Sequence, residues 1–409
     1  MDVEKLEKFE DDQVESGVEE VDVEVEEPVD EQQAQEQMAQ EAAMAEQMFY
    51  ANIAEEMDDT VLSRLGGELI TDYKKDKQSR SDWEKAYTSG LDLLGFKYNE
   101  EARPFTGASS VTHPLLAESV TQFQAQAYKE LLPSQGPVNT QVVGDVTTEK
   151  SEQAQRVKDF MNYMLTDKME EYTTDFDQLL FYLPLAGSAF KKVYYDEVMG
   201  RAVAKFVPAE DLVVPYYATD IKESERITHV VKMSENEVLK KQVAGFYREV
   251  DILPSRSDDN DIQDKYNQLE GVDENDTDYQ FNILEMHVHL DIEEYLGPQT
   301  DEKNVKIPYI VTIDEGSQEV LSIYRNYSPD DPQMNRKEYF VHYKFLPGLG
   351  FYGFGLIHMI GGLSRTATAA LRQLLDAGTL SNLPAGFKSR GIRIRDDDQA
   401  FQPGEFRDV

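Results

Sequence analysis

The chain has 409 residues, with 79 acidic and 40 basic side chains and a formal net charge of −39. This length allows two or three domains with sizeable cores, and a hydrophobic content of 40% excludes a chain that is disordered throughout. The absence of cysteine excludes a disulfide scaffold, a thiolate zinc site and a cysteine nucleophile. A chain this acidic repels nucleic acid overall, so any contact with DNA must come from local basic patches.

The acidic charge is concentrated near the N-terminus, where positions 1–60 contain 22 Asp and Glu residues and two lysines. Residues 1–30 have few large apolar side chains, so burial cannot offset their self-repulsion, and we predict a disordered acidic tail there. The tail is either a solvated leader or a segment that engages a basic partner or repels DNA.

Helical periodicity governs the next part of the chain. Helices are predicted over residues 31–50, 60–73, 81–94, 114–132 and 148–183. The last of these carries an apolar stripe that includes Val157, Phe160 and Met161.

After Gly187 the apolar spacing changes to alternation, which is typical of β-strands. AFKKVYYDEV and RAVAKFV predict a hairpin. The clearest strand spans residues 284–292, with apolar residues on one face and polar residues on the other. IPYIVTI, EVLSIYR and EYFVHYKF are expected to complete an antiparallel set, and residues 255–280 are predicted to be a polar loop. Helices followed by antiparallel strands indicate an α+β fold.

A glycine-rich stretch, GLGFYGFG, leads into a helix predicted over residues 356–382. At about 1.5 Å per residue this helix is about 40 Å long. Small residues on more than one of its sides let neighbouring helices approach closely, which suits packing among copies of the same chain. The candidate subunit-packing positions are Gly361, Gly362, Ala367 and Ala370.

The pattern Gly348-x-Gly350-x-x-Gly353 matches the dinucleotide-binding fingerprint. That fingerprint requires a parallel β-α-β unit, whereas the strand before it here belongs to an antiparallel set. A flexible backbone bend is therefore the favoured interpretation.

His287 and His289 share a strand face with Glu285 and Asp291, a spacing that can hold zinc or another divalent ion. A solvated sheet face has the same alternation and is the favoured interpretation, so no metal site and no cofactor are predicted. The motifs of a serine hydrolase, a phosphate-binding loop and a zinc protease are missing from the sequence, and no catalytic residue is assigned. The chain is not expected to be an enzyme, although a metal-dependent enzyme using this strand is kept as an alternative.

Residues 345–364 contain no charged side chain and are long enough to cross a bilayer. A proline and several glycines within them argue against a membrane helix, and we expect no membrane partner. A membrane-active phage or envelope protein inserting this segment is kept as a second alternative.

Basic residues gather late in the chain, where they can touch DNA phosphates, pair with acids of a neighbouring subunit, or lie on a solvated surface. These candidates are Arg365, Arg372, Lys388, Arg390, Arg393 and Arg395.

Three stretches, in this order, resemble the portal proteins (head–tail connectors) of tailed bacteriophages. The first is ARPFTGASSVTHPLLAESVTQFQAQAYKELLP. The second, LLFYLPLAGSAFKKVYYDEVMGRAVAKFVPAEDLVVP, is similar to the family's wing domain. The third, GFGLIHMIGGLSRTATAALRQLLDAG followed by NLPAGFKSRG, is similar to the first stem helix and its exit toward the clip. The resemblance covers about residues 57–395.

The resemblance implies four segments: the acidic tail (1–30), a wing-like α+β domain (31–345), a bend and stem-like helix (346–383) and the start of a clip-like region (384–409). It implies a homo-oligomeric ring, typically a dodecamer, at one capsid vertex of the virion, assembled in the host cytoplasm. Double-stranded DNA would pass through the central channel during packaging and ejection, without sequence specificity. The other implied partners are the terminase, the major capsid or scaffolding protein and a head–tail adaptor.

Portal chains usually continue through the clip, a second stem helix and a crown. This sequence stops at QPGEFRDV, where those parts should follow. We therefore expect either a fragment or a remainder that is encoded separately.

Overall fold

The computed structural model describes residues 43–44, 46–96, 107–196, 199–253, 261–271, 280–292, 305–382, 386–388 and 406–408, the last two segments as backbone. The chain divides into two units, residues 1–50 and 51–409. In the first unit, residues 46–49 are helical, at the end of the helix predicted over 31–50. The predicted disordered tail at 1–30 lies outside the described residues. The helices and strands named below belong to the second unit, residues 51–409.

Helices dominate the first half of this unit, as expected. The described α-helices are α1 (Asp59–Ser79), α2 (Ser81–Leu91), α3 (Leu115–Leu131), α4 (Thr148–Tyr163), α5 (Glu171–Ala186), α6 (Glu235–Val243), α7 (Asp261–Glu270) and α8 (Leu356–Asn382). The start of α1 is set by Asp58, whose carboxylate accepts a hydrogen bond of 2.8 Å from the backbone N–H of Thr60.

The long helix predicted over residues 148–183 is interrupted. A single π-helical turn, Met164–Lys168, follows α4, and Met169 leaves helical geometry to bury its side chain before α5 begins. Residues 261–270 form α7 where a loop was predicted, because Ile262 and Tyr266 pack against the apolar side of α2. Periodicity within a short polar segment could not reveal that distant partner.

The strands of the described residues form three sheets. They are β1 (Ser188–Asp196), β2 (Arg201–Pro208), β3 (Leu212–Val213), β4 (Arg226–Ser234), β5 (Gln280–Leu290), β6 (Ile307–Asp314), β7 (Val320–Arg325), β8 (Phe340–Lys344), β9 (Gly386–Lys388) and β10 (Phe406–Asp408). An antiparallel five-stranded sheet has the order β3-β4-β5-β6-β7, and the hairpin β1-β2 is joined by β8 in the order β2-β1-β8. The short strands β9 and β10 pair in parallel.

The α+β class is confirmed, with helices before an antiparallel sheet and a long helix after it. One strand is placed differently from the prediction. EYFVHYKF contributes β8 to the hairpin sheet instead of extending the meander, and residues 340–344 pair with 188–192.

The apolar face of β5 is buried as its alternation predicts. Leu284 and Met286 pack against Leu62 and Leu65 of α1. The opposite face was predicted to be solvated, and that prediction is wrong. His287 on this face is only 2% exposed, because the hairpin sheet covers it.

A second core gathers α2, α3, α5, α7 and the first turn of α8. Its fully or nearly buried members include Tyr87, Leu116, Leu185 and Ile357. This core places the start of α8 against three helices from the first half of the chain.

Candidate functional site

The bend between β8 and α8 (residues 346–355, called the bend below) packs backbone to backbone against the end of α5. Gly187 ends α5 in the left-handed region, with a φ of 87°. A Cβ atom at Gly353 would overlap the carbonyl oxygens of Gly187 and Leu346, and one at Gly355 would overlap that of Leu185. Glycine is therefore required here by close packing, whereas the sequence suggested a flexible bend.

Hydrogen bonds fix the same region. Gly353 donates its backbone N–H to Ser188 Oγ at 2.8 Å, and Phe354 donates to the carbonyl oxygen of Leu346 at 2.9 Å. β8 pairs antiparallel with β1. The backbone N–H of Gly353 and that of the residue after the pattern thus already have acceptors within the protein, and the preceding strand has the wrong direction for a dinucleotide fold.

Arg80 ties the bend to the turn that follows the hairpin. The side chain lies between α1 and α2 and is almost fully buried. Its guanidinium group donates to the carbonyl oxygens of Ala209 at 3.1 Å and Leu212 at 2.9 Å. It also donates to the carbonyl oxygen of Glu210 and, at 3.1 Å, to the hydroxyl group of Tyr352 in the bend. One arginine therefore connects two segments that are far apart in the sequence.

Aromatic stacking strengthens this connection. The ring of Trp83 stacks on that of Tyr352 with a centroid separation of 4.6 Å and an interplanar angle of 16°. The other ring neighbour of Trp83 is Tyr87, at 5.6 Å. Arg80 Nε is paired with Glu84 at 2.7 Å, so α2 supplies both the stacking ring and the counter-charge.

The turn held by Arg80 also carries a buried carboxyl group. Tyr266 of α7 donates a hydrogen bond to Glu210 Oε1 at 2.7 Å, and its hydroxyl oxygen lies 3.0 Å from that of Tyr87. Glu210 Oε2 is buried without a hydrogen-bond partner among the described residues. Burial, with a further contribution from Asp211, raises the pKa of Glu210 to about 7. The carboxyl group therefore titrates near neutral pH.

The side of α8 that faces the rest of the fold consists mainly of small residues. Gly361 lets α8 approach the segment after α2, where its Cβ position would lie 3.3 Å from Leu93 Cδ1. Gly90 of α2 in turn receives Ile357, whose side chain would overlap any Cβ there. Ser364 is fully buried on the same side.

Polar side chains of α8 hold the loop that precedes α3. Thr368 Oγ1 accepts from the backbone N–H of His113 at 3.0 Å. Arg372 Nε donates to the carbonyl oxygen of Val111 at 2.8 Å, and Asp376 accepts from the N–H of Ser109 at 2.6 Å. These three positions are four residues apart, so they share one side of the helix.

A second side of α8, about a third of a turn from the docked side, is apolar and partly exposed. We call it the outer strip; its members are Leu356, Met359, Ile360, Leu363, Ala367, Ala370 and Leu374. Leu356 and Ile360, at its start, are half-buried and pack against the second core. Met359, Leu363 and Leu374 are 56%, 62% and 71% exposed. No member is charged, because the titratable residues of α8 lie on its other sides. α8 packs mainly small residues inward and leaves several large apolar residues exposed. Part of its apolar surface is therefore not covered by the described residues of its own chain.

The predicted packing positions are divided between these two sides. Gly361 contacts its own chain, and nothing lies within 4 Å of a Cβ at Gly362. Ala370 is exposed and Ala367 half-buried on the outer strip. The outer strip therefore contains two of the four positions.

The predicted basic cluster is not brought together within the described residues. Arg372 hydrogen-bonds the loop before α3, whereas Arg365 is exposed. Lys388 is described only as backbone of β9. The remaining three candidates, Arg390, Arg393 and Arg395, lie outside the described residues.

Comparisons with known proteins do not assign the chain to a family. No protein-family model matches the chain, and no curated protein matches it. What the chain does must be inferred from its residues and their arrangement.

Two of the candidate metal ligands of β5, Glu285 and His287, join Lys192 of β1 in a polar cluster between the two sheets. Lys192 Nζ lies 2.6 Å and 2.5 Å from the carboxylate oxygens of Glu285, and His287 Nε2 lies 2.9 Å from Glu285 Oε1. Burial alone would raise the pKa of Glu285, but Lys192 and His287 hold it well below its usual value. His289 makes a separate contact of 3.3 Å with the carbonyl oxygen of Glu225. Within the described segments, no three His, Asp or Glu side chains are grouped as metal ligands.

The uncharged segment 345–364 does not form one helix. It contains the bend and only the first turns of α8. Among the helices of the described residues, none is both long enough and apolar enough to cross a membrane.

Proposed function

We propose that the chain is a subunit of a bacteriophage portal, a homo-oligomeric ring at one capsid vertex through which DNA is packaged and ejected. In this proposal residues 51–345 contribute to the wing, α8 is the first stem helix, and copies meet along α8. Terminase, the capsid or scaffolding protein and a head–tail adaptor are the partners that the resemblance implies.

The observation that carries the proposal is the sidedness of α8. Its base is fixed by close-packed glycines and by the contacts of Arg80, and its small side is docked on α2 and α3. The outer strip runs from Leu356 to Leu374 of this helix of 27 residues, which is about 27 Å of its length. A long apolar surface on a firmly held support is what a subunit contact requires.

The resemblance to portal proteins favours a ring over a two-fold dimer. A closed ring uses two different faces of each subunit, whereas a two-fold dimer uses one face twice. The number of copies that native mass spectrometry counts distinguishes the two forms, and the ring is the form that the resemblance to portal proteins implies.

The charge distribution supports a channel for DNA. The chain carries a net charge of −39, and a wall of the same sign as the phosphates favours sliding over tight binding. Arg365 is the exposed basic residue of α8 and would be its site of phosphate or intersubunit contact.

The test is a particle image of the full chain, combined with native mass spectrometry. We expect rings with a central hole wide enough for duplex DNA. Leu363→Glu places a charge on the outer strip and should abolish the rings. Gln373→Glu, which adds the same charge to an exposed position on another side of α8, should leave them intact. A wild-type chain that stays monomeric at high concentration would overturn the proposal, as would rings from the Leu363→Glu variant.

A further inference from the structure

Helix α4 has no buried residue anywhere along its 16 positions. It is nevertheless well formed, with Thr147 as its N-cap, whose side chain accepts from the backbone N–H of Lys150 at 3.3 Å. A helix of this length and composition is only marginally stable alone in water, and most helices are stabilised by packing of an apolar face. α4 therefore has an apolar face that stays about half exposed among the described residues.

That face consists of Val157, Phe160 and Met161, which are 45%, 63% and 44% exposed. Their spacing places them together on one side of the helix. The neighbouring side is held by the segment that leads into the helix: Asn162 Oδ1 accepts from the N–H of Val138 at 2.9 Å, and Asn162 Nδ2 donates to the carbonyl oxygen of Val138 at 3.1 Å. Residues 137–163 thus form an arm. Its apolar face lies beside the side of the helix that this contact holds.

The charge of the arm indicates what kind of surface it meets. α4 contains three acidic and three basic residues, in a chain with 79 acidic and 40 basic ones. α8 is similar, with one acidic and two basic residues. A second copy of a chain with a net charge of −39 is repelled by acidic surfaces, and these two helices are neutral or nearly so. DNA would instead require a basic face, which α4 does not have.

The size of the outer strip gives a second argument. The outer strip runs from Leu356 to Leu374, about 27 Å at about 1.5 Å per residue, and at about 10 Å wide it covers about 270 Å². Stable interfaces bury about 800 Å² on each partner. The outer strip alone supplies about a third of that area, so a contact between copies needs a further apolar surface.

We infer that the arm is a clasp that packs the face formed by Val157, Phe160 and Met161 onto the neighbouring copy of the chain. This inference rests on the proposed ring and identifies a second part of each subunit that holds it together. In this arrangement the neighbouring copy covers the apolar face of the arm.

The first experiment measures assembly of the full chain by native mass spectrometry over a concentration series. Phe160→Ser should raise the concentration at half-assembly by about tenfold or more, which is the effect of losing one buried aromatic anchor at an interface. Its melting temperature as a single copy should stay that of the wild type, because the side chain is exposed there. Tyr216→Ser is the matched control, since it removes an aromatic ring that is 84% exposed outside the arm.

The second experiment uses the absence of cysteine from the chain. A single-cysteine variant, Phe160→Cys, is labelled with a benzophenone maleimide and irradiated in a mixture of isotopically light and heavy copies. We expect crosslinked peptides that join light to heavy chains. Crosslinks confined to one copy, or unchanged assembly of Phe160→Ser, would overturn the clasp while leaving the ring intact. A wild-type chain that never assembles would overturn both.

Discussion

Helices α4 and α8 are both amphipathic, but they are attached to the rest of the chain through different contacts. α8 is docked through Gly361, Ser364 and the hydrogen bonds of Arg372, and its large apolar residues remain outside. α4 is attached through Asn162 and its apolar residues also remain outside. An apolar stripe in a sequence therefore marks a face that needs a partner, without saying that the partner belongs to the same chain. Small and polar residues decided which side of α8 docks.

If this contrast is correct, damage to the base of α8 should be costly and equivalent damage to α4 should not. The largest effect is expected from Arg80→Leu, because it removes the guanidinium donor from the buried carbonyl groups of Ala209 and Glu210. It also leaves the carbonyl group of Leu212 with the hydroxyl group of Tyr352 alone. We expect the free energy of unfolding in urea to fall by about 4 kcal/mol. Arg156→Leu, at an exposed position of α4, should change it by less than about 0.5 kcal/mol. Similar losses for the two variants would remove the contrast.

A methyl group tests the close packing of the bend. Gly353→Ala would force its Cβ into two carbonyl oxygens, and we expect a loss of about 3 kcal/mol in the free energy of unfolding. Gly378→Ala, near the far end of α8, meets open space and should raise that free energy by about 0.5–1 kcal/mol. If Gly353→Ala unfolds with the same free energy as the wild type, the bend is flexible and not close-packed.

The pH dependence of stability probes the turn beneath Arg80. The pKa of Glu210 is raised by burial to about 7 in the folded chain, so the folded state holds the proton more tightly than the unfolded state. Its contribution to stability is fully present below the unfolded pKa of about 4.3 and is lost as pH rises through about 7. Between pH 5 and pH 8 this loss amounts to about 2 kcal/mol.

The measurement is the melting temperature of the wild type and of Glu210→Gln over that pH range. The glutamine variant should lose this part of the pH dependence, because its side chain does not titrate. Glu152→Gln on α4 should retain the wild-type profile, which separates the effect of one buried group from that of the many surface acids. Superimposable profiles for all three proteins would show that Glu210 is not the group responsible.

Much of the fold follows from local sequence patterns. The alternation in β5 identified its core face correctly, with Leu284 and Met286 buried, and the two alternating segments correctly predicted the β1-β2 hairpin. The start of α1 and both ends of α8 were also close, because caps and periodicity are local properties. α1 ends at Ser79, six residues later than predicted.

The errors concern partners that are distant in the sequence. β8 pairs with β1, about 150 residues away, and that pairing buries the polar face of β5 that was predicted to be solvated. Nothing local marks Arg80 as buried, since its partners are backbone carbonyls in another segment. The contacts of the turn at residues 209–212 with Arg80 and Tyr266 likewise depend on the tertiary fold. Longer-range pairing of this kind is not encoded in periodicity.

The close-packed bend also sets a mechanical tolerance. α8 is about 40 Å long, so a tilt of about 5° at its base would displace its far end by about 3.5 Å, close to the diameter of a methyl group. In a closed ring of copies the same angle is repeated at every subunit, and a small error would accumulate until the last pair failed to meet. The close packing of Gly353 against Gly187 leaves almost no room for the base of α8 to tilt. These glycines therefore fix the direction in which α8 leaves the fold.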